Sequence, residues 1–361
     1  MPGVGSYLLI GAIAAVVTFV ATPIVRRLAE RLGWVYEPNA RTVHTKPIPD
    51  VGGIAMFAGF LVALGVAWAM SDFGSLFDSN SEPFGVLLAA GVVFAVGLFD
   101  DIREVSAPAK VFFTVLAGLA LVWAGVVMFF FRVPYYGALL IGDDLQPLIT
   151  VLWLLGMTQA INLIDGLDGL AAGVVAIGAG AFFLYSQELL DRDLIDGGNI
   201  GPLFAIIAAG VCIGFLPHNF NPAKIIMGDS GAYLLGYVLA AVSVLGALKV
   251  TAALTVVAPI MILGVPVLNI TQVTVRRLSR GKNPTLADND HLHDIIRVKS
   301  GSKRFTVLVL WLATLILGTC GMMLSHTPPE LIYITVIGTV VLIAGVCWLR
   351  LREAAHEQIA G

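Results

Sequence analysis

Charge is what this chain has least of. Only 12% of its 361 residues are Asp, Glu, Lys or Arg, while 58% are hydrophobic, and the mean hydropathy is +0.91. Soluble domains carry about 25% charged residues, so an ordinary soluble globular domain is excluded. Cysteine is scarce too. Cys212, Cys320 and Cys347 all fall inside apolar runs with no metal-ligand spacing, which leaves no disulfide framework and makes them buried small hydrophobes. No G-x-x-x-x-G-K-[ST] pattern occurs, so a nucleotide is not expected on a P-loop. The N-terminus lacks the charged n-region and cleavage site of a secretory signal, and its first apolar run is expected to be a retained span. There is no internal repeat and no soluble-looking domain. A net charge of −3 is uninformative, because in such a chain the placement of charge matters more than its sum.

What is present is a series of apolar runs. A helix needs about 20 apolar residues to cross the hydrocarbon. Eleven stretches qualify: 6–27, 51–70, 84–99, 111–131, 147–163, 170–187, 202–217, 231–247, 252–275, 305–325 and 330–349. The third, fifth and seventh are short, so ten is the alternative count. The expected fold is an all-α, polytopic integral membrane bundle forming one domain over 1–361. With the N-terminus outside and the C-terminus cytoplasmic, all Lys and Arg except Arg132, Arg192 and Lys249 fall on the cytoplasmic side, 18 of 21. That asymmetry fixes the predicted orientation.

Five segments on that side carry unusual polar groups: 28–50, 100–110, 162–169, 217–231 and 276–304. The third reads Asn162-Leu-Ile-Asp-Gly-Leu-Asp-Gly169, with Asp165 and Asp168 at the mouths of apolar helices. A charge at bilayer depth costs roughly 2.5–3.5 kcal/mol on insertion scales, so such acids are usually functional. Gly166 and Gly169 allow a sharp turn and ligand approach. The second segment holds Asp100 and Asp101, whose mutual repulsion calls for a cation, a proton or a basic group. Lys110 follows within one turn of the next helix, as a phosphate contact or a snorkelling anchor. The fourth contains Asn219, Lys224 and Gly-Asp229-Ser-Gly at a helix start, where exposed N–H groups favour phosphate and Asp is also a good N-cap. The first ends Lys46-Pro-Ile-Pro-Asp-Val-Gly-Gly53, with Lys46 open to phosphate binding or plain anchoring. The last contains His291-Leu-His293 and Arg297; by themselves the histidines suit zinc, phosphate or a bare surface.

Together the acids, an Asn, lysines and an Arg-rich loop suit phosphoryl transfer at a membrane surface. Magnesium takes oxygen ligands, commonly one or two carboxylates plus substrate phosphates, and basic groups hold the phosphates. The ordered motifs F-D-D-I-R (99–103), N-L-I-D-G-L-D-G-L-A-A-G (162–173), P-A-K-I-I-M-G-D-S-G (222–231) and A-D-N-D-H-L-H (287–293), with K-P-I-P-D-V-G-G (46–53), resemble the polyprenyl-phosphate N-acetylhexosamine-1-phosphate transferases. The likeness runs from about residue 40 to 300 and is nearer to the GlcNAc type than to the phospho-N-acetylmuramoyl-pentapeptide type.

The resemblance implies a multi-pass enzyme of the bacterial inner (cytoplasmic) membrane with its active site facing the cytoplasm. It implies transfer of a sugar-1-phosphate from a UDP-N-acetylhexosamine, here UDP-GlcNAc, to an undecaprenyl or decaprenyl phosphate, with release of UMP at the start of a lipid-linked cell-envelope glycan. Mg2+ would be the cofactor, with Mn2+ as substitute. No nucleic-acid partner is expected; membrane lipid is, and a homodimer is compatible. Carried over by motif, Asp100 and Asp101 are the acceptor-side acids, Asp100 deprotonating or orienting the lipid phosphate. Asn162 and Asp229 bind the metal with the donor pyrophosphate. Gly166 and Asp168 line the uridine pocket with Asn219 nearby, and Asp165 is a site acid. Lys46, Lys110 and Lys224 meet substrate, and His291 and His293 contact the donor's sugar or phosphate end. The family often has a third His where this chain has Asp294, and Arg297 is expected to supply that basic character; Ala232 stands where a hydroxyl residue is common. The alternatives are the same chemistry with UDP-GalNAc, UDP-QuiNAc or UDP-MurNAc-pentapeptide, and a transporter or lipid flippase. If the topology holds, a cysteine introduced within 282–290 reacts with impermeant thiol reagents only from the cytoplasmic side; labelling from outside would overturn the arrangement.

Overall fold

The structure, a computed structural model, describes residues 2–36, 47–78, 81–128, 130–133, 137–192, 197–247, 262–279, 291–300 and 302–324. Lys46, Arg350, Arg352, Cys347, the 330–349 run, most of the first half of 252–275 and the 280–290 part of the last polar segment lie outside the described residues. Within them the chain is helical: α1 Val4–Leu32, α2 Gly53–Ala69, α3 Gly74–Asp78, α4 Glu82–Ile102, α5 Ala107–Trp123, α6 Gln146–Ile164, α7 Leu170–Asp191, α8 Gly201–Asn219, α9 Gly228–Ala247, α10 Gly264–Ser279, α11 Leu292–Ser300 and α12 Lys303–Leu324. Two antiparallel ribbons complete it, β1 (Val35–Tyr36) with β2 (Ile48–Pro49) and β3 (Phe130–Val133) with β4 (Gly137–Leu140).

Helix boundaries follow local chemistry. Proline sits in the first turn of α4, α5, α6 and α8, where its missing N–H costs nothing. α1 ends at Gly33, which takes the left-handed conformation at φ 74° and returns its N–H to the Ala29 carbonyl. Among the described residues seven helices are long and apolar enough to cross a membrane, or eight if α2 and the bent segment Ser71–Asp78, turned by 86°, form one span. This is a polytopic helical membrane protein.

One expectation is corrected. The 111–131 run is not helical throughout: its helix is Ala107–Trp123, Gly125 adopts φ 92°, and Phe130–Val133 pairs with Gly137–Leu140. Hydropathy alone cannot separate a helix from a strand of β-branched and aromatic residues, and Phe130-Phe131-Arg132-Val133 is such a strand.

The packing centre is α9, which is apolar on every side, almost wholly buried, and in contact with α2, α4, α6, α7 and α8. A helix apolar all round belongs inside a bundle. Peripheral α1 instead turns Val16, Val20 and Ile24 outward, as a lipid-facing helix does, and packs its other side on α8. There the backbones nearly touch. A Cβ on Gly210 would strike the Gly11 carbonyl and come within 3.0 Å of Ala14 Cβ. Substituting Gly210→Leu should therefore push α1 off α8 at a cost of about 1–3 kcal/mol, read as a lower melting temperature in detergent.

Candidate active site

The C-terminal ends of α4, α6 and α8 and the N-terminal ends of α5, α7 and α9 come together, and they carry Asp100, Asp101, Asp165 and Asp229. Asp100 and Asp101 occupy the last turn of α4, Asn162 the last turn of α6, and Asp229 the first turn of α9. Lys110, in the first turn of α5, joins them. Its Nζ donates to Asp100 Oδ2 at 2.5 Å and to Asp229 Oδ2 at 2.9 Å. Asn162 Nδ2 donates to the other Asp229 oxygen at 2.7 Å, and the Val105 N–H donates to the other Asp100 oxygen at 2.7 Å. Four helix ends are thus joined by one half-buried polar network. Ion pairs in such surroundings hold geometry more surely than exposed ones, which are worth about 0–1 kcal/mol.

Asp101 takes different partners from its neighbour. Its carboxylate accepts the N–H groups of Asp229 (2.7 Å) and Ser230 (3.1 Å) and the Ser230 hydroxyl (2.6 Å). It caps α9 from another helix. The repulsion expected between adjacent acids is met by splitting them: Asp100 faces an ammonium, Asp101 a helix N-terminus.

The first polar segment builds the same corner with main chain. Ile226 N–H donates to the Pro49 carbonyl, Gly52 N–H to Ile226 and Gly53 N–H to Met227, all within 2.8–2.9 Å. Gly228, at φ 71°, completes it: a side chain there would be strained and would drive into the Asp101 carboxylate and the Asp50 carbonyl.

The 162–169 turn is tied to the 219–226 loop. The buried Asn219 accepts the Gly169 N–H at 3.0 Å and donates to the Ile225 carbonyl at 3.0 Å. Asp168 Oδ2 accepts from Asn221 Nδ2 at 2.8 Å and from the Ala223 N–H at 3.0 Å. Arg304 of α12 donates to the Asn221 carbonyl, and Trp311 packs beside Phe220. Asp165 caps the end of α6. Burial and the facing charges of Asp50, Asp229 and Asp168 hold its carboxyl well above the usual carboxylate range. Lys224 is exposed on the loop.

His291 and His293 lie face to face, rings 5.4 Å apart and nearly parallel. His293 is buried against Gly166, where an added Cβ would meet its Nε2 at 2.5 Å. Arg297 reaches back to Asp294 at 3.0 Å. So Gly166, Asp165, Asp168, Asn219 and the histidines share one region, while Asp100, Lys110, Asn162 and Asp229 form the network beside it.

The region from Pro83 to Ala247, which carries that network, matches Glycosyl transferase family 4. The chain is 34% identical to a probable undecaprenyl-phosphate N-acetylglucosaminyl 1-phosphate transferase of Bacillus subtilis, over 87% of this chain and 83% of that protein. It is 36% identical to a decaprenyl-phosphate N-acetylglucosaminephosphotransferase of Mycobacterium tuberculosis, over 84% and 79%. The chain belongs to the polyprenyl-phosphate N-acetylhexosamine-1-phosphate transferase family. A member from Thermotoga maritima, an undecaprenyl-phosphate alpha-N-acetylglucosaminyl 1-phosphate transferase, is 29% identical over 85% of this chain and 88% of its own length.

Sequence reasoning passed over Asp50, Asn221, Arg304 and Asn269 as individual site residues. For Asp50 and Asn221 a signal existed: both flank turn-forming Gly or Pro inside motifs already singled out. Arg304 and Asn269 stand in otherwise ordinary helices.

Burial, helped by the nearby His291 and Arg297, depresses the His293 imidazole from its ordinary 6.5 to about 3. The unfolded chain binds this proton near pH 6.5 and the folded site does not, so stability is full above that pH and declines as pH falls towards 3. Between pH 7 and pH 5 the loss should be on the order of 1–2 kcal/mol. Melting curves of wild type and His293→Gln over that range should converge at low pH; parallel curves would refute the assignment.

Proposed function

We propose that this protein transfers N-acetylglucosamine-1-phosphate from UDP-GlcNAc to a polyprenyl phosphate, releasing UMP, at the cytoplasmic face of a bacterial inner membrane. The observation that carries this is the Asp100–Lys110–Asp229–Asn162 network. It brings an acid, an ammonium and two further oxygen donors to one point at the helix ends. The names of the relatives supply the donor sugar and the acceptor class. The Lys and Arg asymmetry supports eleven spans with the N-terminus outside and the five polar segments forming one catalytic face.

In the proposed reaction an oxygen of the acceptor phosphate attacks the sugar-bearing phosphorus of UDP-GlcNAc. The bond between that phosphorus and the bridging oxygen breaks, and UMP leaves with the electron pair. Asp100 takes or orients the acceptor's proton, and Lys110, held between Asp100 and Asp229, meets phosphate. Asp168 and Gly166, with Asn219 behind them, border the uridine, and His291, His293 and Arg297 lie towards the donor's sugar or phosphate end. Lys46 and Lys224 are further basic contacts. Asp101 belongs to the acceptor side through its hold on the start of α9.

The donor set fits magnesium. Asp229 and the Asn162 side-chain oxygen would hold it, and among the described residues no group of three His, Cys, Asp or Glu side chains forms an all-protein cage. Magnesium is commonly held by one or two protein oxygens, with phosphates and waters completing the shell. Bound there, it would neutralise charge on the donor pyrophosphate; Mn2+ is the expected substitute.

The test uses purified protein in detergent with polyprenyl phosphate. UMP release from UDP-GlcNAc should require both lipid and Mg2+ and stop with EDTA. Asp100→Asn should lower turnover by about 10²-fold or more while UDP-GlcNAc still binds. Asp229→Asn should raise the Mg2+ requirement. Release from UDP-GalNAc, UDP-QuiNAc or UDP-MurNAc-pentapeptide alone would transfer the assignment to that donor, and silence with all four would refute the reaction.

A further inference from the structure

The histidine pair does not hold itself in place. It sits at the start of α11, a nine-residue amphipathic helix, and a helix that short is not stable alone in water. Its first N–H groups need acceptors from elsewhere. One comes from α10. Asn269 Oδ1 accepts the N–H of Leu292, the residue between the two histidines, at 3.1 Å across 23 residues of chain. Asn269 is 1% exposed, and among the described residues its Nδ2 has no hydrogen-bond partner. A buried donor left unmade costs about 1–3 kcal/mol. What this side chain contributes to the contact is its accepting oxygen. Leu292 and Ile296 seat the other side of α11 on the apolar core, so the Asn269 bond fixes the rotation about that seat. That rotation puts His293 against Gly166 and His291 over His293.

We infer that Asn269 is a positioning residue of the transferase: it caps α11 from α10 and so sets the histidine pair against the Asn162–Gly169 turn. The inference rests on the proposed reaction only for what the histidines meet. The link it names, Asn269 to Leu292 to His293 to Gly166, is a property of the fold. It makes α10 part of the donor side of the site through Asn269.

Two readouts test it. The first needs no activity: diethyl pyrocarbonate modification of His293, followed by mass spectrometry and referred to the denatured chain. Losing a cap costs about 1 kcal/mol, which is about five-fold in an opening equilibrium, so Asn269→Ala should speed His293 modification about five-fold. Asn269→Asp, which keeps the accepting oxygen and drops the orphan donor, should restore protection. The second readout is kinetic. Asn269→Ala should raise KM for UDP-GlcNAc by a similar factor and leave KM for polyprenyl phosphate within about two-fold, with Asn269→Asp again near wild type. If the alanine variant does not purify, Asn269→Gln, whose oxygen is displaced by one methylene, carries the same expectation. Unchanged His293 protection in the Ala or Gln variant would overturn the inference, as would an Asp variant that melts like wild type yet behaves like Ala. Equal rises in both KM values would reduce Asn269 to general stability and overturn it too. Should wild type release no UMP, the proposed reaction falls, and the His293 modification still decides the cap.

Discussion

Everything at the polar end of this bundle depends on how the N-terminus of α9 is terminated. α9 is the most enclosed helix of the described fold, and a buried helix start exposes N–H groups that neither water nor lipid can satisfy. Asp101 answers for two of them and for the Ser230 hydroxyl. The location of Asp229, and through it of Lys110, Asp100 and Asn162, is referred to that cap.

The arrangement explains why two adjacent acids are tolerable at the end of an apolar helix. Consecutive helical residues point about 100° apart, so Asp100 and Asp101 address different neighbours. One is committed to the frame and the other to the Lys110 ammonium it shares with Asp229. The same division recurs around the 162–169 turn, where Asn219 and Asp168 bridge to the backbone of the turn and of the facing loop while burial and neighbouring acids raise the Asp165 carboxyl above the usual carboxylate range.

The sequence was informative where function forced polar residues into apolar surroundings. The five polar segments, the order of the motifs and the membrane class are all visible as departures from hydropathy. It was less informative where the structure spends ordinary residues. Asn269 looks like any polar residue in an amphipathic helix until Leu292 is seen across from it. Asn221 and Arg304 meet only through a loop whose path no periodicity encodes. The 111–131 run misled for a different reason: apolarity reports burial or lipid, and is silent about whether the backbone coils or pairs. Asp101 was legible as an acid near the site but not as a cap, because its partner lies 128 residues further on.

The ladder between residues 49–53 and 226–227 has a bearing on how such a protein can change. Its bonds are made by amides and carbonyls, which every residue but proline carries in full. Ile48 and Ile226 can therefore be exchanged in evolution without moving the corner they frame, provided Gly52, Gly53 and Gly228 stay small. Scaffold and selectivity are in this way written in separate alphabets, one in main chain and one in side chain. A lineage could revise the second, residue by residue around a fixed corner, without first having to rebuild the first.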